Sequence, residues 1–325
     1  MEMKISIVTP CYQAGAFLAE TIESVLSQGY GDYEYWIVDA GSTDATMDII
    51  RSYQKDKRIH FIGGPDSGQS NAINKGLQQC SGGIFNWLNA DDALLPGALE
   101  RVVEAFQKKS VDIVAGRMLE FSESGPKTEE ILKLPVRSCA EQTICRGVFC
   151  QPSTFWKTAV VRELGGVEEQ LQCMMDWHLW VKYLALHGQS RVVLIPEVLA
   201  RFRKHDAAKS AMLGERFHQE GLAIYRKLVE DLGIMDEVPL IEEELGGVVA
   251  PVHLPEFRFS KGFSRDAFLA FYCDRVTGRL YNKQEMVKSL QWWWRGFQLK
   301  RLASWWRLRM LVKLLLAKII RRPVV

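Results

Sequence analysis

The sequence predicts an α/β protein, a mainly parallel sheet with helices on both faces, followed by a helical C-terminal extension. Three observations carry this. Apolar runs of strand length alternate with amphipathic stretches of helix length through the first half, which is the pattern of a parallel sheet with crossover helices. Polar and acidic residues collect just after the strand-like runs, where ligands bind in such sheets. The end of the chain changes composition: eleven Lys/Arg and a single acid, Glu285, lie from Tyr281 to Val325, leaving 30 bases against 38 acids before it, a net of −8.

The elements follow in order. Ile5-Ser6-Ile7-Val8 reads as a buried strand. Gly15 to Gln28 reads as a helix, with Phe17, Leu18, Ile22, Val25 and Leu26 at three- and four-residue intervals. Tyr35–Val38 is the second strand, with a helix from about Asp44 to Tyr53. Ile59–Ile62 is the third, followed by a Gly/Pro/Asp loop and a helix near Ser70 to Gln79. Gly83–Leu88 is the fourth. Pro96 opens a helix to about Lys108, and Val111–Ala115 is the fifth strand. Beyond residue 117 the pattern is mixed: a helix from Asp176 to His187, strands at Arg191–Ile195 and Val198–Phe202 around Pro196, and a helix from Leu213 to Leu232. These boundaries predict a main domain over 1–240 (halves of about 1–116 and 117–240), a linker over 241–262 and a basic, Trp-rich extension over 263–325.

Composition narrows the class. The chain has 325 residues, 47% hydrophobic and 25% charged, with a formal net charge of +2, all ordinary for a globular protein. Seven cysteines without a CxxC pair predict free thiols in a reducing compartment. The N-terminus lacks the basic-then-apolar pattern of a signal peptide. The most apolar stretch, Leu302 to Ile320, is broken by Arg307, Arg309, Lys313 and Lys318, so the expected membrane contact is peripheral. Residues 288–322 carry it: Trp305, Leu308, Val312, Leu315, Leu316 and Ile319 share one helical face, and Trp292-Trp293-Trp294 and Trp305-Trp306 suit an interface. A helix packed on the catalytic domain or a second subunit is the alternative. The acidic body argues against nucleic acid as a partner.

Four segments carry chemistry. Asn89-Ala90-Asp91-Asp92 ends the fourth strand; adjacent carboxylates on a turn call for a hard divalent cation, Mg²⁺ or Mn²⁺, although such a turn also caps helices. Asp39 tips the second strand, placed to accept from a base N–H or a ribose hydroxyl, whereas Asp44 reads as a helix cap. Gly63 to Ser70 leads into a helix bearing Asn71 and Lys75, and its N-terminus favours anions. Neither GxGxxG after the first strand nor GxxxxGK[ST] is present.

Together, Ser6-Ile7-Val8-Thr9-Pro10-Cys11-Tyr12, Ile37–Asp44, Asp66-Ser67-Gly68 through Asn74-Lys75-Gly76, and Asn89–Asp92 resemble glycosyltransferase family 2, in order and in spacing. The resemblance covers about residues 4 to 205 and implies the GT-A fold and transfer from a nucleotide-diphosphate sugar, UDP-linked by preference, onto an acceptor hydroxyl. It implies that Thr9, Pro10, Tyr12 and Asp39 line the base pocket, that Ser67, Asn71 and Lys75 belong to the donor site, and that Asp91 lies near ribose and metal. Asp92 is implied as metal ligand, with His205 of Arg201-Phe202-Arg203-Lys204-His205 beside it. Asp176 in Met174-Met175-Asp176-Trp177 is implied as general base of an inverting displacement, although the family's usual acidic neighbour is Met175 here. An ordinary Asp, with a pKa of ~3.9 and a helix dipole favouring its ionised form, is a weak base. A lipid-linked or polysaccharide acceptor at the cytoplasmic face of a membrane completes the expectation. Two rivals stand beside it. A nucleotidyltransferase calls for a basic phosphate loop after the first strand, where Thr9 to Gly15 has no basic residue; a non-catalytic scaffold would not need these acids.

Overall fold

The computed structural model describes residues 3–108, 110–122, 129–132, 136–147, 149–235, 252–282 and 286–299. They form two compact units. The first comprises residues 1–135, 148–183 and 190–258, and the second 136–147, 184–189 and 259–325.

The first unit is built on a mixed, mostly parallel nine-stranded sheet. Its elements are β1 (Ile5–Cys11), α1 (Leu18–Leu26), β2 (Tyr33–Asp39), α2 (Thr46–Tyr53), β3 (Ile59–Gly63), α3 (Gln69–Gln79), β4 (Ile84–Trp87), β5 (Ala93–Leu94) and α4 (Ala98–Phe106). There follow β6 (Ile113–Ser122), β7 (Glu129–Leu132), β8 (Thr154–Lys157), α6 (Thr158–Glu163), α7 (from Met175), β9 (Val192–Lys204), α8 (Lys209–Met212) and α9 (Gly214–Asp231), with α5 (Ala140–Arg146) in the second unit. The strand order is β3-β2-β1-β4-β8-β6-β9-β5, with β7 pairing β6. β1 pairs parallel with both β2 and β4, so the chain's direction of growth across the sheet reverses beside β1. Such a reversal opens a crevice at the strands' carboxyl ends.

Every residue of β1 is buried, as expected of a strand covered on both faces. Ile5, Ile7, Tyr35 and Ile37 join Leu18, Ile22 and Val25 of α1 and Leu99 and Val102 of α4 in one core. On the opposite face α3 packs so closely that a Cβ on Gly76 would come within 2.5 Å of Val8. Glu34 is buried in β2 but fully partnered: Lys4 Nζ donates at 2.8 Å, Ser6 Oγ at 2.6 Å and the Ser81 backbone at 2.5 Å. Burial pushes this carboxyl up, but those hydrogen bonds outweigh it and hold it down at about 2.

Several boundaries differ from the sequence reading. The segments on either side of Pro196 form one strand, β9, because β6 pairs along its length and a register shift near Ala115–Arg117 absorbs the irregularity. The fifth strand runs on to Ser122, and the first helix starts only at Leu18. Residues 252–258, within the expected linker, pack on the first unit through Leu254 and Phe257; residues 236–251 lie outside the described residues.

The second unit contains α5 (Ala140–Arg146), the end of α7 (Met175–His187), α10 (Arg265–Asn282) and α11 (Met286–Leu299). Two of the tryptophans expected at an interface are placed elsewhere. Trp292 and Trp293 are buried inside the unit, Trp292 edge-on to Tyr272, rather than held for a membrane surface; Trp294 is 53% exposed. The helical face from Trp305 to Ile319 falls outside the described residues. No helix among the described residues is long and apolar enough to cross a membrane.

Candidate functional site

The acid pair sits in the turn after β4, at the crevice. Asp91 is partly exposed, and its Oδ2 lies 3.1 Å from His205 Nε2. Asp92 is buried: its Oδ1 accepts from the Arg203 backbone N–H at 3.1 Å and its Oδ2 from Asn89 Nδ2 at 3.2 Å. Burial, then the neighbouring Asp91 charge, push the Asp92 carboxyl well above the usual carboxylate range.

Arg203 holds this turn in place. Its Nε donates to the Asp91 carbonyl at 3.0 Å, and its guanidinium pairs with Glu20. Phe17 and Phe121 sandwich it, each ring centroid 4.8 Å from Cζ. Thr21 Oγ1 adds contacts to the carbonyls of Ala90 and Asp92 at 2.9 and 2.8 Å. Phe17 also lies 4.7 Å from the His205 ring.

Among the described residues, no group of three or more His, Cys, Asp and Glu side chains is arranged to enclose a metal ion. The donor types still fit Mg²⁺ or Mn²⁺, which take one or two carboxylates and complete their shell with water and phosphate oxygens. A cation beside Asp91 and Asp92 would relieve the repulsion from Asp91 that adds to burial in raising the Asp92 carboxyl.

Asp39 ends β2, buried, and caps its own loop. Oδ2 accepts from Gly41 and Ser42 N–H, both at 2.9 Å, and Oδ1 from Ser42 Oγ at 2.5 Å. Gly41 permits this turn with a φ of +91°. Thr9 is fully buried, and its hydroxyl bonds Tyr35 Oη at 2.8 Å. Pro10 is buried beside it and Tyr12 is 64% exposed. Asp44, expected as a helix cap, stands one residue before the N-cap of α2, Ala45, and accepts from the Gly15 and Thr46 N–H groups. Ser67 is exposed in the loop before α3; Lys75 Nζ donates to the Pro65 carbonyl at 2.9 Å and ties that loop down; Asn71 bonds Glu169.

Asp176 lies in the first turn of α7, half-buried. Burial pushes its carboxyl up to about 6, more than the backbone N–H groups of Asp176 and Trp177 pull it down, and Glu220 adds to the rise. The expected ordinary Asp, favoured as an anion by the helix dipole, is corrected: desolvation exceeds the dipole, and the group becomes a stronger base.

A hydrogen-bonded chain joins the two acidic sites. Gln69 Nε2 donates to Asn89 Oδ1 at 2.7 Å; Lys209 Nζ donates to Gln69 Oε1 at 2.8 Å and to the Gln172 carbonyl at 3.4 Å. Gln172, Cys173 and Met174 then donate backbone N–H groups to Glu220, at 2.9, 2.8 and 3.0 Å, just ahead of α7. Desolvation lowers the Lys209 ammonium, while Cys173, Glu220, Asp66 and Asp91 pull it back up, as expected of a cation set among these acids.

Glu20, Gln69, Lys209 and Glu220 were not singled out in the sequence. Glu220 left a signal: it stands three and four residues before Ala223 and Ile224, both buried, so the helical period puts an acid on the inward face of α9.

The chain has relatives and structural neighbours among glycosyltransferases. A glycosyltransferase of Nostoc sp. with no characterised activity is 27% identical over 253 residues, 70% of this chain and 75% of its own length. A Bacillus subtilis glycosyltransferase, TuaG, provisionally named for teichuronic acid biosynthesis, is 37% identical over 108 residues, 33% of this chain and 43% of its own. In structure, the chain resembles Staphylococcus aureus TarS in complex with UDP-GlcNAc (TM-score 0.60, 15% identity, covering 96% of this chain and 80% of that one). It also resembles the Pyrobaculum calidifontis mannosyltransferase PcManGT in complex with GDP-Man and Mn²⁺ (TM-score 0.55, 16% identity, 97% and 88%). Residues 6–160 match Glycosyl transferase family 2, so the chain carries a glycosyltransferase domain of that family, on a sheet of the GT-A type.

Proposed function

We infer that the protein transfers a sugar from a nucleotide-diphosphate donor, UDP-linked by preference, to an acceptor hydroxyl with inversion, using Mn²⁺ or Mg²⁺ at Asp91 and Asp92, with His205 beside them on Asp91. The observation that carries this reading is the hydrogen-bonded chain from Asn89 through Gln69 and Lys209 to Gln172. It couples the acid pair of β4 to the turn that presents Asp176.

The division of labour follows from the environments. Thr9, Pro10, Tyr12 and Asp39 border the base end of the crevice, with Asp39 holding its own loop in shape. The loop with Ser67, tied down by Lys75, and the start of α3 with Asn71 border the donor. When bound, the cation would neutralise charge on the departing diphosphate. Lys209, already among Asp66, Asp91 and Glu220, is placed to add a second positive charge. Asp176 accepts the acceptor's proton; a carboxyl at about 6 is ionised at neutral pH yet more basic than a solvated Asp.

The relatives supply support of their own. TarS is described with UDP-GlcNAc and PcManGT with GDP-Man and Mn²⁺, so proteins of this fold hold nucleotide sugars and, in one case, that metal. The name of TuaG points to a cell-surface polysaccharide, and a lipid-linked or glycan acceptor is the class we assign. Peripheral contact with the cytoplasmic face of a membrane, through the basic residues of 288–322, would bring the enzyme to such an acceptor.

The test is a panel of UDP- and GDP-sugars scored for Mn²⁺-dependent release of nucleoside diphosphate. Release from one UDP-sugar supports the reading. Turnover unaffected by chelation, or none with any donor, argues against it.

A further inference from the structure

We propose that Glu220 of α9 is a positioning residue for the transfer step, fixing the backbone turn that presents Asp176 and setting the charge around it. The inference rests on the reading of Asp176 as the base.

Three consecutive backbone N–H groups, of Gln172, Cys173 and Met174, converge on this one carboxylate at 2.8–3.0 Å. They sit in the chain that turns into α7, where orphan donors need an acceptor. That acceptor comes from another helix, so the direction of the first turn of α7 depends on how α9 packs. The packing is close. Trp177, next to Asp176, lies 4.8 Å from the ring of Tyr225, and a Cβ on Gly221 would touch Met174 and Trp177 at 3.8 and 3.9 Å. Glu220 is 2% exposed, an unusual site for an acid unless its partners require it. Arg216, one turn earlier, donates to its Oε1 at 3.0 Å and balances its charge from the exposed side.

Glu220 acts on Asp176 from α9, with Arg216 paired to it. The other titratable groups around this turn are Cys173 in the lead-in chain and His178 on α7, both held neutral by burial, Lys209 of α8, which reaches the Gln172 carbonyl, and Lys182 on α7. Glu220 is the anion among them that raises the Asp176 carboxyl, after burial. Removing its charge should weaken the base, whereas removing Arg216 leaves that anion less screened and should strengthen it. A residue that merely stabilised the fold would not move the two variants in opposite directions.

The experiment compares kcat against pH for the full chain with Glu220→Gln, Arg216→Gln and Asp176→Asn, using the best donor of the panel. We expect the acid limb of Glu220→Gln to move down by about half a pH unit. Its kcat at pH 8 should fall about three- to tenfold with donor KM held. The Arg216→Gln limb should move up. If Glu220→Gln fails to fold, the direction of the Arg216→Gln shift decides. Both limbs unmoved, with Asp176→Asn inactive, overturns the role of Glu220 alone. An unchanged kcat and limb in Asp176→Asn overturns the base assignment and this inference with it.

Discussion

The backbone N–H of Arg203 donates to Asp92 Oδ1 at 3.1 Å, while the Arg203 guanidinium grips the carbonyl of Asp91 at 3.0 Å. One residue of β9 thus fixes both members of the acid pair, by its main chain and by its side chain. The main-chain bond survives substitution and the side-chain bonds do not, so the two contributions can be separated.

Arg203→Met keeps an apolar stem between Phe17 and Phe121 but loses the donor bonds to Asp91 and Glu20. We expect stability to fall by about 1.5–3 kcal/mol, the range for hydrogen bonds to charged groups. The Mn²⁺ concentration for half-maximal rate should rise about tenfold or more, as when partners that orient metal ligands are lost. Arg203→Lys should recover little, since an ammonium does not reproduce the guanidinium fork. Denaturant melts and Mn²⁺ titrations of the rate check both. An unchanged Mn²⁺ response would detach Arg203 from the acid pair.

Asp176 should be visible in the pH profile. Its carboxyl at about 6 must be ionised to accept a proton, so kcat rises with pH through that value and levels above it. Asp176→Asn should lower kcat on the order of 10²–10⁴-fold while donor binding persists. The same raised pKa makes the ionised group unfavourable in the folded state. Its penalty is absent below the unfolded carboxyl's pKa and grows as pH rises from about 4 toward 6. The Asn variant should therefore melt higher than wild type at pH 7.5, with the gap closing near pH 4. A variant that melts lower at pH 7.5 would contradict this.

Glu34 carries the opposite sign. Its folded carboxyl is held at about 2, below the unfolded value, so it stabilises at neutral pH and that contribution is lost as pH falls through 4.5 toward 2. Glu34→Gln should lose roughly 2–3 kcal/mol at pH 7 and approach wild type near pH 2.5. Chemical denaturation at the two pH values measures the difference. An equal loss at both would assign the effect to packing instead of charge.

For the tail, wild type should pellet with vesicles rich in anionic lipid and come off in high salt. Deleting residues 300–325 leaves α11 and its buried Trp292 and Trp293 in place, so the fold should survive while pelleting is lost. Equal pelleting by the shortened chain would remove the basic tail as the anchor.

What the sequence disclosed depended on range. The strands β1 to β4 and the acids at their tips were legible because local period and turn chemistry report them directly: Ile5, Ile7 and Val8 mark a strand-length run, Asp39 ends a strand and Asp91 follows one within a few residues. The antiparallel β8 and the union of β9 across Pro196 were not, since both are decided by pairing with β6. In the site, the role of Arg203, quoted only as part of the segment before His205, and that of Glu220 were hidden for a related reason. Each acts on residues far off in sequence, and its charge reads as surface until the packing of β9 or α9 is known. The Asp176 carboxyl was misjudged because desolvation is a property of the assembled neighbourhood, which a helix N-terminus alone does not report.

The central claim is that Asp91 and Asp92 bind a nucleotide diphosphate through a divalent cation. Calorimetry of UDP binding, with and without Mn²⁺, on wild type and on the Asp91→Asn/Asp92→Asn double variant tests it most directly. We predict that Mn²⁺ strengthens UDP binding to wild type at least tenfold and leaves the variant, folded and thermally intact, without that gain. The same Mn²⁺ enhancement in both proteins would contradict the account.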